Sequence, residues 1–172
     1  MPYPGGNLVR VTPTVVAGET ADDDIMFDAT EIPNAVTSRG GASLLRNMTI
    51  IDKDAENVDM DIIFMQVQTN FGTADSAPSI TDANLQAAKV IASIRIDWSD
   101  AAVGFAQDSG NAQIYHSAGA SGSNLIDNFP MLVQAAEGDT SIYFTAIVSD
   151  TNNADFAATD DLEFVFGFEY LG

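Results

Sequence analysis

Five carboxylates fall within ten residues of this chain: Asp52, Asp54, Glu56, Asp59 and Asp61. Acids at alternate positions are how an EF-hand calcium loop opens, and D-K-D-A-E-N-V-D-M-D begins that way. The frame then fails. Its sixth position is Asn57 where the loop needs glycine, its twelfth is Ile63 where it needs glutamate, and strand-like segments flank it instead of helices. What remains is a looser oxygen-ligand site for Ca2+ on Asp52, Asp54 and Glu56, set against an acidic turn whose charges face water. Asp22, Asp23 and Asp24 form a second acidic cluster and Asp160 and Asp161 a third, and both read more simply as solvated charge.

Residues that could carry catalysis do not converge. His116 is the one histidine, and no serine sits in the G-x-S-x-G setting of a nucleophile elbow; the nearest stretch, AGASGS (118–123), reads as a loop. There is no cysteine, which removes thiolate nucleophiles, thiolate metal sites and disulfides together. Paired carboxylates can hydrolyse glycosides only at defined separations, and 25 acidic residues give no specific pair. Phosphate loops and dinucleotide fingerprints are absent. The expectation is a protein that is not an enzyme and needs no cofactor. Trp98, between Asp97 and Asp100 at the end of a strand-like segment, is a candidate sugar-stacking ring, with Tyr3, Tyr115 and Tyr143 as further aromatics. The competing reading has Trp98 covering an open end of the fold.

The elements that must position these residues are strands. A length of 172 residues with 46% hydrophobic and 18% charged side chains suits one domain with its own core. Asn7–Val16 reads as an edge or bent strand because Pro13 interrupts it. Ile25–Ala29 is a short strand. Leu44–Ile51 and Val58–Val67 read as a hairpin across the polar turn 53–57. In the second of these Val58, Met60, Ile62 and Phe64 share a face; Ile63 and Met65 make the far end apolar on both faces, which calls for a further covering layer or subunit. Thr81 caps a short helix near 82–89. Val90–Ile96, Met131–Ala135, Ser141–Ser149 and Leu162–Leu171 complete the strands, with EGDT (137–140) joining two of them as a hairpin. Residues 101–128 carry the weakest pattern, with short apolar pieces at 103–105 and 114–115.

About eight evenly spaced strands and one short helix predict an all-β fold: a two-sheet antiparallel β-sandwich, jelly-roll-like. An immunoglobulin-like sandwich is the alternative, without its cysteine and tryptophan signature. The domain plan is an N-terminal arm and first edge strand over 1–16, then a single sandwich domain over 17–172.

Charge narrows the partners. The formal net charge is −19, from 25 acidic against 6 basic residues, which repels nucleic acid and anionic membranes. The acids are scattered, as expected of a solvated surface, whether suited to a saline medium or matched to a basic partner. MPYPGGNLVRV lacks the basic and apolar regions of a signal peptide, and no apolar run is long enough to span a bilayer.

LLRNMTIIDKDAENVDMDIIFMQ (44–66) followed by FGTADSAPSITDANLQ (71–86) resembles small structural proteins of tailed bacteriophages. In these a similar pair of strands leads into a G-T-x-x-x-A-P-x-I-x-D-A-N stretch, here Gly72, Thr73, Ala77, Pro78, Ile80, Asp82, Ala83 and Asn84. The closing run from MLVQAAEGDTSIYFTAIVSD to LEFVFGFEYL is also similar, so the resemblance covers about two thirds of the chain. It implies a virion component, above all a decoration (cement) protein on the outer capsid surface. It further implies assembly in the host cytoplasm, the major capsid protein as partner and self-association as a homotrimer. On that reading Tyr3, Leu8, Val9 and Val11 form a capsid- or subunit-binding arm that adds a strand to a neighbour's sheet edge. The rivals are a tail or fibre module and a calcium-assisted carbohydrate-binding module. Only the last should melt at a different temperature when calcium or glycan is added.

Overall fold

The computed structural model describes residues 5–97, 113–116, 129–149 and 153–171, with 113–116 described by backbone alone. Its strands are β1 (Gly6–Val11), β2 (Gly18–Thr20), β3 (Ile25–Ile32), β4 (Ala42–Asp52), β5 (Met60–Met65), β6 (Val90–Ile96), β7 (Gln113–His116), β8 (Met131–Gln134), β9 (Ile142–Val148), β10 (Ala154–Phe156) and β11 (Leu162–Tyr170). One helix, α1 (Asp82–Ala88), lies between β5 and β6. Among the described residues no helix is long and apolar enough to cross a membrane.

Two antiparallel sheets face each other. Sheet one runs β1-β11-β4, with β7 and β8 placed end to end along the far side of β4, against residues 49–52 and 42–45 respectively. Sheet two runs β3-β9-β5-β6. Among successive strands β5 and β6 pair with each other, β7 and β8 both lie along β4 in sheet one, and the connections β3–β4, β4–β5, β6–β7 and β8–β9 pass from one sheet to the other. The expected all-β, two-sheet antiparallel sandwich is the observed architecture. A short ribbon, β2 with β10, ties together two crossovers at one end.

The apolar stripes meet between the sheets. Phe27, Phe64 and Phe144 of sheet two and Phe164 and Phe166 of sheet one are fully buried. Phe144 is the hub: its ring centroid lies 5.2 Å from Phe27, 5.0 Å from Phe164 and 5.1 Å from Phe166, all edge-to-face. Such contacts add about 0.5–1.5 kcal/mol each beyond area burial.

Both expected hairpins are corrected by this topology. β4 and β5 lie in different sheets, and so do β8 and β9. Alternation shows which face of a strand is apolar but not which strand lies beside it; residues 53–59 and 135–141 are long enough to cross the roughly 10 Å between sheets. The arm is corrected as well. β1 is the edge strand of sheet one, paired with β11 from Gly6↔Glu169 to Val11↔Phe164, and Val9 and Val11 point into the core. They are therefore unavailable to a partner, whereas Leu8, on the opposite side of the strand, is 70% exposed. Tyr3 lies outside the described residues.

The helix forms as expected. Thr81 accepts a hydrogen bond from the Asn84 amide at 3.3 Å, and Lys89 ends the helix in a left-handed conformation. The covering layer expected over Ile63 and Met65 is supplied by this chain. Residues 66–89 form a strap across the outer face of sheet two, burying Phe71 and Ala88 against Ile25, Ala29 and Met65. The strap also lines the open edge of β3: the Asp75 amide donates to the Ile25 carbonyl (2.8 Å), the Ile25 amide donates to the Ser76 carbonyl (3.1 Å), and Asn70 Oδ1 accepts from the Ala29 amide (3.0 Å).

Replacing Phe144 with alanine should lower the unfolding free energy by about 3–5 kcal/mol, because a buried ring shared by both sheets leaves a cavity that cannot collapse. Leu8→Ala should change it by less than about 0.5 kcal/mol. Urea denaturation of both variants checks the contrast.

Candidate functional site

The carboxylates singled out by the sequence gather at the end of the sandwich where β4 passes to β5, β9 to β11 and β1 to β3. Asp52 closes β4 and is almost fully buried, at 1% exposure. Its Oδ1 accepts from the amides of Asp54 (3.0 Å) and Ala55 (2.9 Å), and its Oδ2 from the amide of Asn57 (2.9 Å). These bonds hold a tight loop in which Ala55 and Asn57 both take positive φ, 62° and 56°. Such a conformation costs a non-glycine residue about 1–2 kcal/mol, so the loop needs the carboxylate that organises it.

The neighbouring acids staple this loop to the next crossover. Asp54 Oδ2 accepts from the Ala157 amide at 2.7 Å and Glu56 Oε2 from the Asp155 amide at 3.2 Å. Lys53 Nζ donates to the Asp160 carbonyl at 2.6 Å, and Asp161 Oδ2 accepts from the Ala158 amide at 2.6 Å. Asn153 Nδ2 donates to Glu19 at 2.8 Å, linking the third crossover.

The carboxylates named for calcium serve the chain's own backbone in this structure. Asp52, Asp54 and Glu56 each turn toward a different set of backbone amides, and among the described residues no group of three acidic or histidine side chains is arranged to hold a metal ion. Backbone N–H donors supply hydrogen bonds to these carboxylates. Trp98 lies outside the described residues. His116 is placed in β7, opposite Thr49, by its backbone alone. Tyr143 is not an open stacking platform: it packs against the strap cluster, and its hydroxyl donates to Asp139 Oδ2 at 3.2 Å.

A second polar group, missed by the sequence reading, lies where β9 begins. Asp139 Oδ1 accepts from the amides of Thr140 (2.7 Å) and Ser141 (3.0 Å), and Ser141 Oγ donates to Glu31 Oε1 at 2.6 Å. It borders a shallow cleft of about 400 Å³ lined by residues 66–68, 136–139 and Tyr143. The signal available was an aspartate followed by Thr-Ser, an Asx-turn pattern read only as a generic turn.

Ionisation follows these environments. Burial pushes the Asp52 carboxyl above the ordinary aspartate range, against the opposing pull of its three amide donors. Burial likewise raises Glu56, with the charges of Asp54 and Asp52 adding to it. Asp139 moves the other way, held down chiefly by the Ser141 amide and then by Thr140 and Tyr143. The Tyr143 hydroxyl is raised by burial first and by the Asp139 charge second.

No protein family, no curated protein and no solved structure matches the chain.

An aspartate that titrates higher in the fold than in the unfolded chain contributes stability at low pH and loses it as pH rises through the folded value. The unfolding free energy of the wild type relative to Asp52→Asn should therefore fall as pH rises from below the ordinary aspartate range through the raised Asp52 value. Urea melts of the two proteins at a series of pH values check the sign. At neutral pH Asp52→Ala should cost about 1–3 kcal/mol, since three amides lose their acceptor.

Proposed function

We propose that this chain is a non-enzymatic virion component, a decoration protein that lies on the outer surface of a tailed-phage capsid and stabilises the shell. The observation that carries the reading is the unequal finish of the two sheets. The strap, which contains the phage-like stretch from Gly72 to Asn84, covers the outer face of sheet two and the edge of β3, while the outer face of sheet one leaves Leu8 and Leu132 exposed. A small domain with one face covered by its own chain and apolar side chains exposed on the other is suited to lying against a larger surface.

Two further features support the reading. The acids at the crossover end serve as hydrogen-bond acceptors for the chain's own backbone, which is a structural use of charge. The formal charge of −19 disfavours contact with packaged nucleic acid and suits the outside of the shell. The partner is the major capsid protein of the same virus, and assembly takes place in the host cytoplasm. Many copies on one lattice gain from multivalency, so each contact can be weak.

Co-sedimentation with empty capsids built from that virus's major capsid protein tests the proposal. The expected result is saturable binding and a higher capsid melting temperature. Binding to isolated tails but not to capsids would move the chain to the tail or fibre, and binding to neither would overturn the virion reading.

A further inference from the structure

The strap is a loop let into the β5–β6 hairpin. The Gln66 amide donates to the Lys89 carbonyl (3.2 Å) and the Val67 amide to the Ala88 carbonyl (3.1 Å), so its two ends lie side by side and extend the ladder of β5 with β6. Beyond that neck the loop can move without pulling on either strand. Its hold on the rest of sheet two is narrow. Of residues 66–89 only Phe71 and Ala88 are buried, in a cluster with Ile25, Ala29 and Met65 that is separate from the main core. The hydrogen bonds across to β3 end on two residues: Ile25, which bonds to Asp75 and Ser76, and Ala29, whose amide donates to Asn70 and whose carbonyl accepts from Gln68 Nε2 at 2.9 Å. Gly72 lies so close to the first of these that a Cβ there would stand 2.9 Å from Ile25 Cδ1.

Two features work against the closed position. The helix α1 has seven residues, too few to stay helical without tertiary contacts, and Ala88 is the one it buries. Asp75, whose amide donates to Ile25, takes a φ of 61°, and left-handed backbone costs a non-glycine residue free energy that opening returns. We propose that the strap is a latch: residues 68–87 release from sheet two as a unit while the sandwich stays folded. Release uncovers the outward side chains of Ile25 and Ala29 and frees main-chain groups of the same two residues. Apolar side chains beside unpaired main-chain groups are what an open sheet edge offers to another chain, and the closed latch withholds them. Openings of this kind lie at the low end of the range between fraying and global unfolding, because they break few contacts.

Amide hydrogen exchange on the purified full chain tests it. The Ile25 amide is diagnostic: it belongs to a strand of the sandwich but donates to the Ser76 carbonyl, so it exchanges with the strap if the strap opens alone. The amides of Ile25, Asp75 and Ser79 should share one level of protection, about tenfold or more below the amides of β9, a strand paired on both sides. Phe71→Ala should speed exchange of those three amides at least about tenfold while β9 stays protected. Gly72→Ala, which wedges the strap away from Ile25 and leaves the main core untouched, should act in the same direction. Wild-type strap amides protected to within about tenfold of β9 would overturn the proposal, because strap and sandwich would then be one folding unit. So would loss of protection from β9 together with the strap in the variants, or exchange that neither substitution changes. A fully protected Ile25 beside freely exchanging Asp75 and Ser79 would overturn it equally, since the bond to Ser76 would have survived the motion.

Discussion

The rest of the structure depends on the edge-to-face contact of Phe144 with rings from both sheets. A two-sheet sandwich has no covalent link across its middle here, because the chain has no cysteine. Cohesion between the layers comes from rings that interdigitate, and Phe144 touches Phe27 on its own sheet as well as Phe164 and Phe166 opposite. Those contacts require β9 to lie next to β3 and β5 and β11 to lie between β1 and β4, so the packing and the strand order are aspects of one arrangement. Side-chain alternation then follows: every residue on the far side of these strands is left to solvent, to the strap or to a partner.

Much of this was legible in the sequence because period-two alternation is a local signal. The stripes Met60–Ile62–Phe64, Ile142–Phe144–Ala146–Val148 and Leu162–Phe164–Phe166–Phe168 are all buried, and β6 runs over the residues expected. Strand partners were not legible. A turn such as 53–57 can close a hairpin or begin a crossover, and the choice is made by distant strands competing for the same edge. For the same reason Val9 and Val11 looked like parts of a free arm: their burial depends on β11, more than 150 residues away. The three-residue strands β2 and β10 carry too little pattern to be seen at all.

The acidic residues show a similar division. Their number predicts what the protein repels, but their roles depend on where backbone amides lie. Asp52, Asp54 and Glu56 look like ligands in one dimension. In three dimensions each meets a donor from its own loop or from residues 155–157. In a chain without disulfides, carboxylate-to-amide bonds are the cross-ties that keep the crossovers at one end in register.

The position of β11 has a consequence for how the molecule is made. It follows every other described strand in the sequence, yet it is the strand that sheet one is built around, with β1 on one side and β4 on the other. Until those nine residues leave the ribosome, the strands on either side have no common partner, and the rings of Phe164 and Phe166 are missing from the middle of the core. Folding of this sandwich therefore waits for β11, and its pairing of sequence-distant segments places it among the slow-folding β topologies, on the order of milliseconds to seconds. A nascent chain stalled before residue 162 would leave β1 without its partner and one edge of β4 open, with only β7 and β8 along the other, and its acidic charge would help to keep such chains apart.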